Sequence, residues 1–177
     1  LICRERKQIE ESKKGESKLK RLTLAIMATM IIFAKPCSAN ATETYIDYCE
    51  EVGSKYNICP ELIQAIVERE SNYNPNAHGS SDDTGLMQII PKWNGDRMKR
   101  LGITNLYDPY QNILCGTDLV AELAEKYGDP YLVLMCYNEG EYGGAIKRYE
   151  DGNYSDYAVS IMERAAELEN AHGKHDY

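Results

Sequence analysis

From residue 43 onward, apolar positions recur mostly at helical spacing, and extended character is confined to a few residues. The pattern predicts helices over 43–56, 60–71 and roughly 92–100. Longer or later ones follow over 109–127, 130–137 and 142–150. A last helix begins after Ser155, a side chain suited to cap it. Its stripe is Tyr157, Ala158, Ile161, Met162, Ala165 and Leu168. The 109–127 helix turns Ile113, Leu114, Thr117, Val120, Leu123 and Ala124 inward. Pro75, Asn76 and the stretch from Gly79 to Gly85 break the periodicity, and Leu86 to Ile90 reads as a short extended piece or small hairpin. The fold class is therefore mainly α with a minimal β-hairpin. No internal repeat interrupts it.

The 60–71 segment carries the first sign of chemistry. Pro60 suits a first helical turn, and Ile63, Ile66 and Val67 share a side with Glu70 at 100° per residue. Glu61 and Glu68 fall nearly opposite, where the wheel places solvent. Of three glutamates, Glu70 alone is then aimed at the apolar side. Burial disfavours the charged form of a carboxyl, so Glu70 is a candidate general acid. A buried glutamate paired with a basic partner is the competing explanation.

The first 41 residues are of another kind. Lys18, Lys20 and Arg21 precede an apolar run from Leu22 to Ala34 and then Ala39-Asn40-Ala41. This reads as a basic leader and secretory signal, 1–41, cleaved after Ala41. The run falls short of the roughly 20 apolar residues that span a bilayer, so no stable membrane insertion is expected after cleavage. An uncleaved anchor is the alternative. Residues 42–170 form one domain, and 171–177 a polar tail holding His172 and His175.

Without the leader, 11 basic residues face 24 acidic ones, a formal −13. Nucleic acid is excluded as a partner, because phosphate contacts require Lys and Arg. Four cysteines remain: Cys49, Cys59, Cys115 and Cys136. Four allow three pairings in an exported chain. Cys49 and Cys59 are the nearest in sequence for a bridge, whereas Cys115 and Cys136 sit in apolar helical patterns as small hydrophobes. No Cys/His spacing suggests zinc, so neither metal nor cofactor is expected.

Four blocks follow one another in order. They are Glu70-Ser71 with Asn72-Tyr73-Asn74-Pro75, then Gly85-Leu86-Met87-Gln88-Ile89 with Pro91, then Asn112-Ile113 with Gly116, then Tyr137-Asn138 with Gly140. Together they resemble the SLT-type lytic transglycosylase domain of the lysozyme-like superfamily, over roughly Tyr45 to Ala165. The resemblance implies a lysozyme-like single domain with its cleft beside the Glu70 helix. It also implies cleavage of the β-1,4 bond between N-acetylmuramic acid and N-acetylglucosamine in peptidoglycan, leaving 1,6-anhydro ends. The same glutamate serves as acid and then base while the sugar's own C6 hydroxyl is the nucleophile. By that resemblance Glu70 is catalytic. Ser71 fixes the loop behind it, and Gly85, Met87 and Gln88 meet the sugar. Tyr137 reaches the catalytic carboxyl with its hydroxyl, beside Asn138. The implied setting is the bacterial or phage cell envelope: a secreted monomer acting on glycan strands, alone or with a secretion, conjugation or phage apparatus.

Two departures keep alternatives open. Asp83, two residues before Gly85, matches the place of the second carboxylate of animal lysozymes. Standing about 5–5.5 Å from Glu70, it would make a retaining muramidase; as a loop residue it makes turn hydrogen bonds instead. Glu139 stands where the family usually has alanine, and is expected to be solvated at the cleft mouth. A third reading is a catalytically silent wall-binding module on the same fold.

Overall fold

A computed structural model describes residues 39–173. The proposed leader, apart from its last three residues, and tail positions 174–177 fall outside that range. Seven helices occur among the described residues: α1 Ala39–Tyr56, α2 Pro60–Ser71, α3 Pro91–Leu101, α4 Pro109–Tyr127, α5 Pro130–Glu139, α6 Ala145–Glu150 and α7 Asp156–Ala171. Proline opens four of them, where its missing N–H costs no intrahelical bond. Side-chain caps complete three starts. Asp108 accepts from Gln111 N at 2.9 Å, Asp129 from Tyr131 N at 2.9 Å, and Ser155 from Ala158 N at 3.2 Å.

The central element is α2, packed between α1 and α7. Seven consecutive residues, Glu61 to Val67, are buried, so the helix has no wet face along that length. This overturns the expectation for Glu61. A wheel with one solvent side describes a surface helix, and α2 is enclosed. Glu61 is only 1% exposed, with His172 Nδ1 3.0 Å from Oε1 and Cys59 Sγ 3.2 Å from Oε2. Cys59 Sγ also lies 3.1 Å from Glu169 Oε1. His172, assigned to a polar tail, is thus drawn back onto the start of α2. Glu68 is half-buried and accepts from Arg164 Nε of α7 at 2.9 Å.

All four described cysteines are buried, and none of them is in a disulfide. The Cys49–Cys59 bridge is therefore not formed. Cys59 turns to the carboxylates of Glu61 and Glu169 instead.

Between α2 and α3 the chain makes two isolated antiparallel bridges, His78 with Thr84 and Thr84 with Ile89. That is the minimal β element the sequence suggests. The helix expected over 142–150 begins only at Ala145. Gly140 and Gly144 take left-handed φ values of 74° and 92° and turn the chain first.

Candidate active site

Glu70 lies in the last turn of α2, where the helix emerges from the core and is only half-buried. Asn72 and Tyr73 follow with φ of 49° and 61°, and Asn72 N closes the helix on Glu68 O at 2.9 Å. The chain thereby turns sharply away just past Glu70. Ser71 Oγ donates to Val67 O at 3.0 Å within its own helix, so it secures the helix end.

The Oε1 atom of Glu70 accepts a hydrogen bond from the Tyr157 hydroxyl at the start of α7. Burial raises the Glu70 carboxyl above its ordinary range. The Tyr157 bond and the Arg69 charge pull it down, while the charge of Asp83 pushes it up. Position at a helix C-terminus also disfavours the anion. Tyr157 is itself held neutral, its pKa raised first by burial and then by the neighbouring glutamate.

The second wall is the Gly85–Ile89 turn, and Asn112 of α4 holds it. Asn112, fully buried, accepts from Met87 N at 2.7 Å and donates to Thr84 O and Leu106 O, each at 2.8 Å. Gly85 adopts φ +77°, and a Cβ there would meet Leu106 O and Asn112 Nδ2 at 2.3 Å. Only glycine fits. Gly116, one turn along α4 from Asn112, makes room for Met87: a Cβ there would stand 2.4 Å from Sδ. The Gly-Leu-Met-Gln block and the Asn-x-x-x-Gly block are thus two halves of one packing unit.

This geometry corrects two expected roles. Met87 has no exposed surface and packs under Gly116, so its side chain offers nothing to a sugar. The Tyr137 hydroxyl donates to Met87 O at 2.7 Å rather than to Glu70. Burial and then the Glu70 charge raise the Tyr137 pKa. The carboxyl's donor is Tyr157. In the sequence it is one more ring in the apolar stripe of α7; the signal was its hydroxyl, which a buried tyrosine must satisfy.

Gln88, Tyr137 and Asn138 line a cleft of about 580 Å³ together with Trp93, Glu139 and Tyr142. Gln88 takes φ +48° and donates from Nε2 to Gly85 O at 2.9 Å. Asn138, in the last turn of α5, is exposed to the cleft. Glu139 is half-buried and pairs with Arg148 instead of standing in solvent. Asp83 Oδ2 accepts from Ser81 N at 3.3 Å, the local turn bond of a loop aspartate.

One group of metal-ligating side chains occurs among the described residues: Cys59, Glu61 and Glu169, with donor atoms within 4.8 Å of one another. It lies at the far end of α2 from Glu70, assembled by residues 110 positions apart that spacing alone does not reveal.

The model of the transglycosylase SLT domain family matches residues 47–159. The chain belongs to that family. Among its relatives, the transglycosylase of Enterobacteria phage PRD1 is 35% identical over 111 residues, 59% of this chain and 40% of that protein. Membrane-bound lytic murein transglycosylase C of Glaesserella parasuis is 32% identical over 157 residues, 78% of this chain and 43% of that protein. The chain therefore spans less than half the length of these curated relatives. In fold, this SLT domain resembles the 70 kDa soluble lytic transglycosylase of Escherichia coli, with a TM-score of 0.62 at 22% identity over 73% of this chain and 24% of that one. The structure of that transglycosylase with bulgecin A is matched at TM-score 0.55 and 25% identity, over 72% and 22%. The family segment takes in Glu70, the Gly85–Ile89 turn, Asn112, Tyr137 and Tyr157 together. No helix among the described residues is long and apolar enough to cross a membrane.

Proposed function

We propose that this SLT domain is a lytic transglycosylase that cleaves the β-1,4 bond between N-acetylmuramic acid and N-acetylglucosamine in peptidoglycan. Glu70 is its single proton-transferring group. The observation that carries the reading is the Glu70 carboxyl itself: burial favours its protonated form, and Tyr157 fixes its orientation through Oε1. The acid proton then belongs on Oε2, the oxygen left to face a ligand.

Donation of that proton to the glycosidic oxygen releases the leaving sugar and leaves an oxocarbenium-like centre at C1. The Tyr157 bond stabilises the carboxylate so formed. The C6 hydroxyl of the same muramoyl residue attacks C1, and the Glu70 carboxylate takes the hydroxyl proton. That closes the 1,6-anhydro ring and regenerates the acid. An intramolecular nucleophile needs no ordered water and no second carboxylate. Asp83 supports this reading because its carboxylate serves its own loop. Gln88 and Asn138 are placed along the cleft to bind sugar amides and hydroxyls. The substrate sets the location, so the domain acts outside the cytoplasm, after removal of the 1–41 leader, as a monomer.

A muropeptide digest tests the assignment by mass spectrometry. Anhydro ends are lighter than reducing ends by one water. Mostly anhydro ends, with Asp83→Ala losing less activity than Glu70→Gln, are expected. Mostly reducing ends with an inert Asp83→Ala would establish a retaining muramidase instead. Its supporting observation is the Asp83 charge felt at Glu70. Wall binding without any cleavage would leave a silent binding module.

A further inference from the structure

The start of α2 and the end of α7 bring together a thiol, two carboxylates and an imidazole that proton transfer at Glu70 does not use. Cys59 is 7% exposed and Glu61 1%, while Glu169 is half-buried and keeps one side of the group open to solvent. Cys59 Sγ stands 3.2 Å from Glu61 Oε2 and 3.1 Å from Glu169 Oε1. A thiol carries one hydrogen, which can point at only one of those two oxygens. A cation in place of that hydrogen engages the sulfur and both oxygens at once. Around zinc, with bonds of about 2.0–2.3 Å, tetrahedral ligand atoms stand roughly 3.3–3.7 Å apart. The two sulfur–oxygen contacts fall only slightly short of that spacing, so small side-chain rotations admit the ion.

We propose that Cys59, Glu61 and Glu169 form a zinc site that clamps the start of α2 to the end of α7. Its ligands are the Cys59 sulfur, Oε2 of Glu61 and Oε1 of Glu169. Water from the open side of Glu169 takes the fourth position. His172 Nδ1, 3.0 Å from Oε1 of Glu61, holds that carboxyl by its other oxygen. Such an outer partner fixes the orientation of a ligand. Binding replaces the Cys59 S–H bond with a zinc–sulfur bond, and the proton leaves to solvent.

The donor set chooses the metal. Calcium and magnesium take oxygen ligands and have no use for a thiolate. Zinc is borderline-soft and accepts sulfur and oxygen together, without redox chemistry at the sulfur. Helix polarity points the same way. Glu169 lies in the last turn of α7, which contains no basic residue, so a carboxylate meets the negative end of the helix. A cation is favoured at that end. Glu61 and Glu70 are about 13 Å apart along α2, so the ion acts on packing rather than on proton transfer. The clamp stands whether or not Glu70 is an acid.

The full chain, stripped with EDTA and dialysed, is titrated with zinc chloride by calorimetry and with cobalt chloride by absorption. One zinc per chain is expected. Cobalt should add a sulfur-to-metal charge-transfer band in the near ultraviolet, which requires a thiolate ligand. Cys59→Ser should erase that band and weaken zinc binding roughly a hundredfold, and Glu169→Gln should weaken it comparably. His172→Ala should cost roughly tenfold, as loss of an outer partner does. Saturating zinc should raise the Tm of the wild type by several degrees and leave Cys59→Ser nearly unmoved, and EDTA should reverse the gain. Glu169 stands at an open helix end, so Glu169→Gln still tests the site if Cys59→Ser unfolds, and circular dichroism reports which has happened. Absence of zinc binding would overturn the site. Zinc held with unchanged affinity in folded Cys59→Ser and Glu169→Gln would overturn it too, as would a cobalt complex without the sulfur band. Cleavage by Glu70 is read in a separate digest, and its outcome does not bear on the clamp.

Discussion

The hydroxyl of Tyr157 donates to Oε1 of Glu70 across 87 positions of sequence, joining the last turn of α2 to the start of α7. One oxygen of the carboxyl is thereby committed to the protein. The bond also opposes burial: it steadies the carboxylate that burial disfavours.

Removing that donor should therefore act in two ways. Tyr157→Phe leaves the ring packing in place but loses the orientation of the carboxyl, and kcat should fall by about one order of magnitude. The pKa of Glu70 should rise further, because a group that lowers it is gone. The limb on which activity falls with rising pH should move to higher pH. A pH–rate profile of both proteins checks this, and an unmoved limb would separate Tyr157 from the acid.

Glu70→Gln should abolish cleavage and also change stability in a pH-dependent way. A carboxyl whose folded pKa is raised contributes stability that is present at low pH and lost as pH rises through the folded value. The wild type should lose stability from the ordinary carboxyl range upward through that raised value, and the glutamine variant should not. The Tm of Glu70→Gln minus that of the wild type should grow from acid to neutral pH. A constant difference would mean that ionised Glu70 pays no desolvation cost.

Asn112 bears on the cleft without lining it. Asn112→Ala removes three buried hydrogen bonds and strands the Met87 N–H, so a loss of about 2–4 kcal/mol is expected in urea unfolding. Activity should fall with it, since Gln88 sits on the turn that Asn112 holds.

Two glycines should respond unequally. Gly85→Ala must accept a left-handed φ and a collision with the Leu106 carbonyl, at a cost of more than about 3 kcal/mol. Gly116→Ala meets Met87, whose sulfur and terminal methyl can swing aside, at about 1–2 kcal/mol. Chemical denaturation of the two variants ranks them, and the reverse order would contradict the packing described.

Much of this was legible in the chain. The helices announced themselves by period and by proline starts, and Glu70 by its place on α2. What escaped was whatever depended on partners far away in sequence. Glu61 was assigned to solvent because a wheel assumes one wet side, and α2 has none between Glu61 and Val67. Tyr137 was given the contact that Tyr157 makes, because both are tyrosines on apolar faces and only the packing of α7 decides which hydroxyl arrives. Met87 was read as a ligand contact, since sequence does not show that Gly116 leaves a socket for it. Asn112 was seen as part of a block, but its three partners come from two other segments, the turn of Thr84 and Met87 and the loop of Leu106.

The pairing of α2 with α7 is fastened at both ends, by Tyr157 on Glu70 at one and by Glu169 and His172 on Cys59 and Glu61 at the other. During synthesis Glu70 leaves the ribosome long before any of those α7 partners exists. Until α7 docks, Glu70 is an ordinary exposed carboxyl with no donor on Oε1 and no reason to keep its proton. The site is thus completed by nearly the last part of the domain to be made, and a chain cut short before residue 157 carries all four sequence blocks yet leaves Glu70 without its donor.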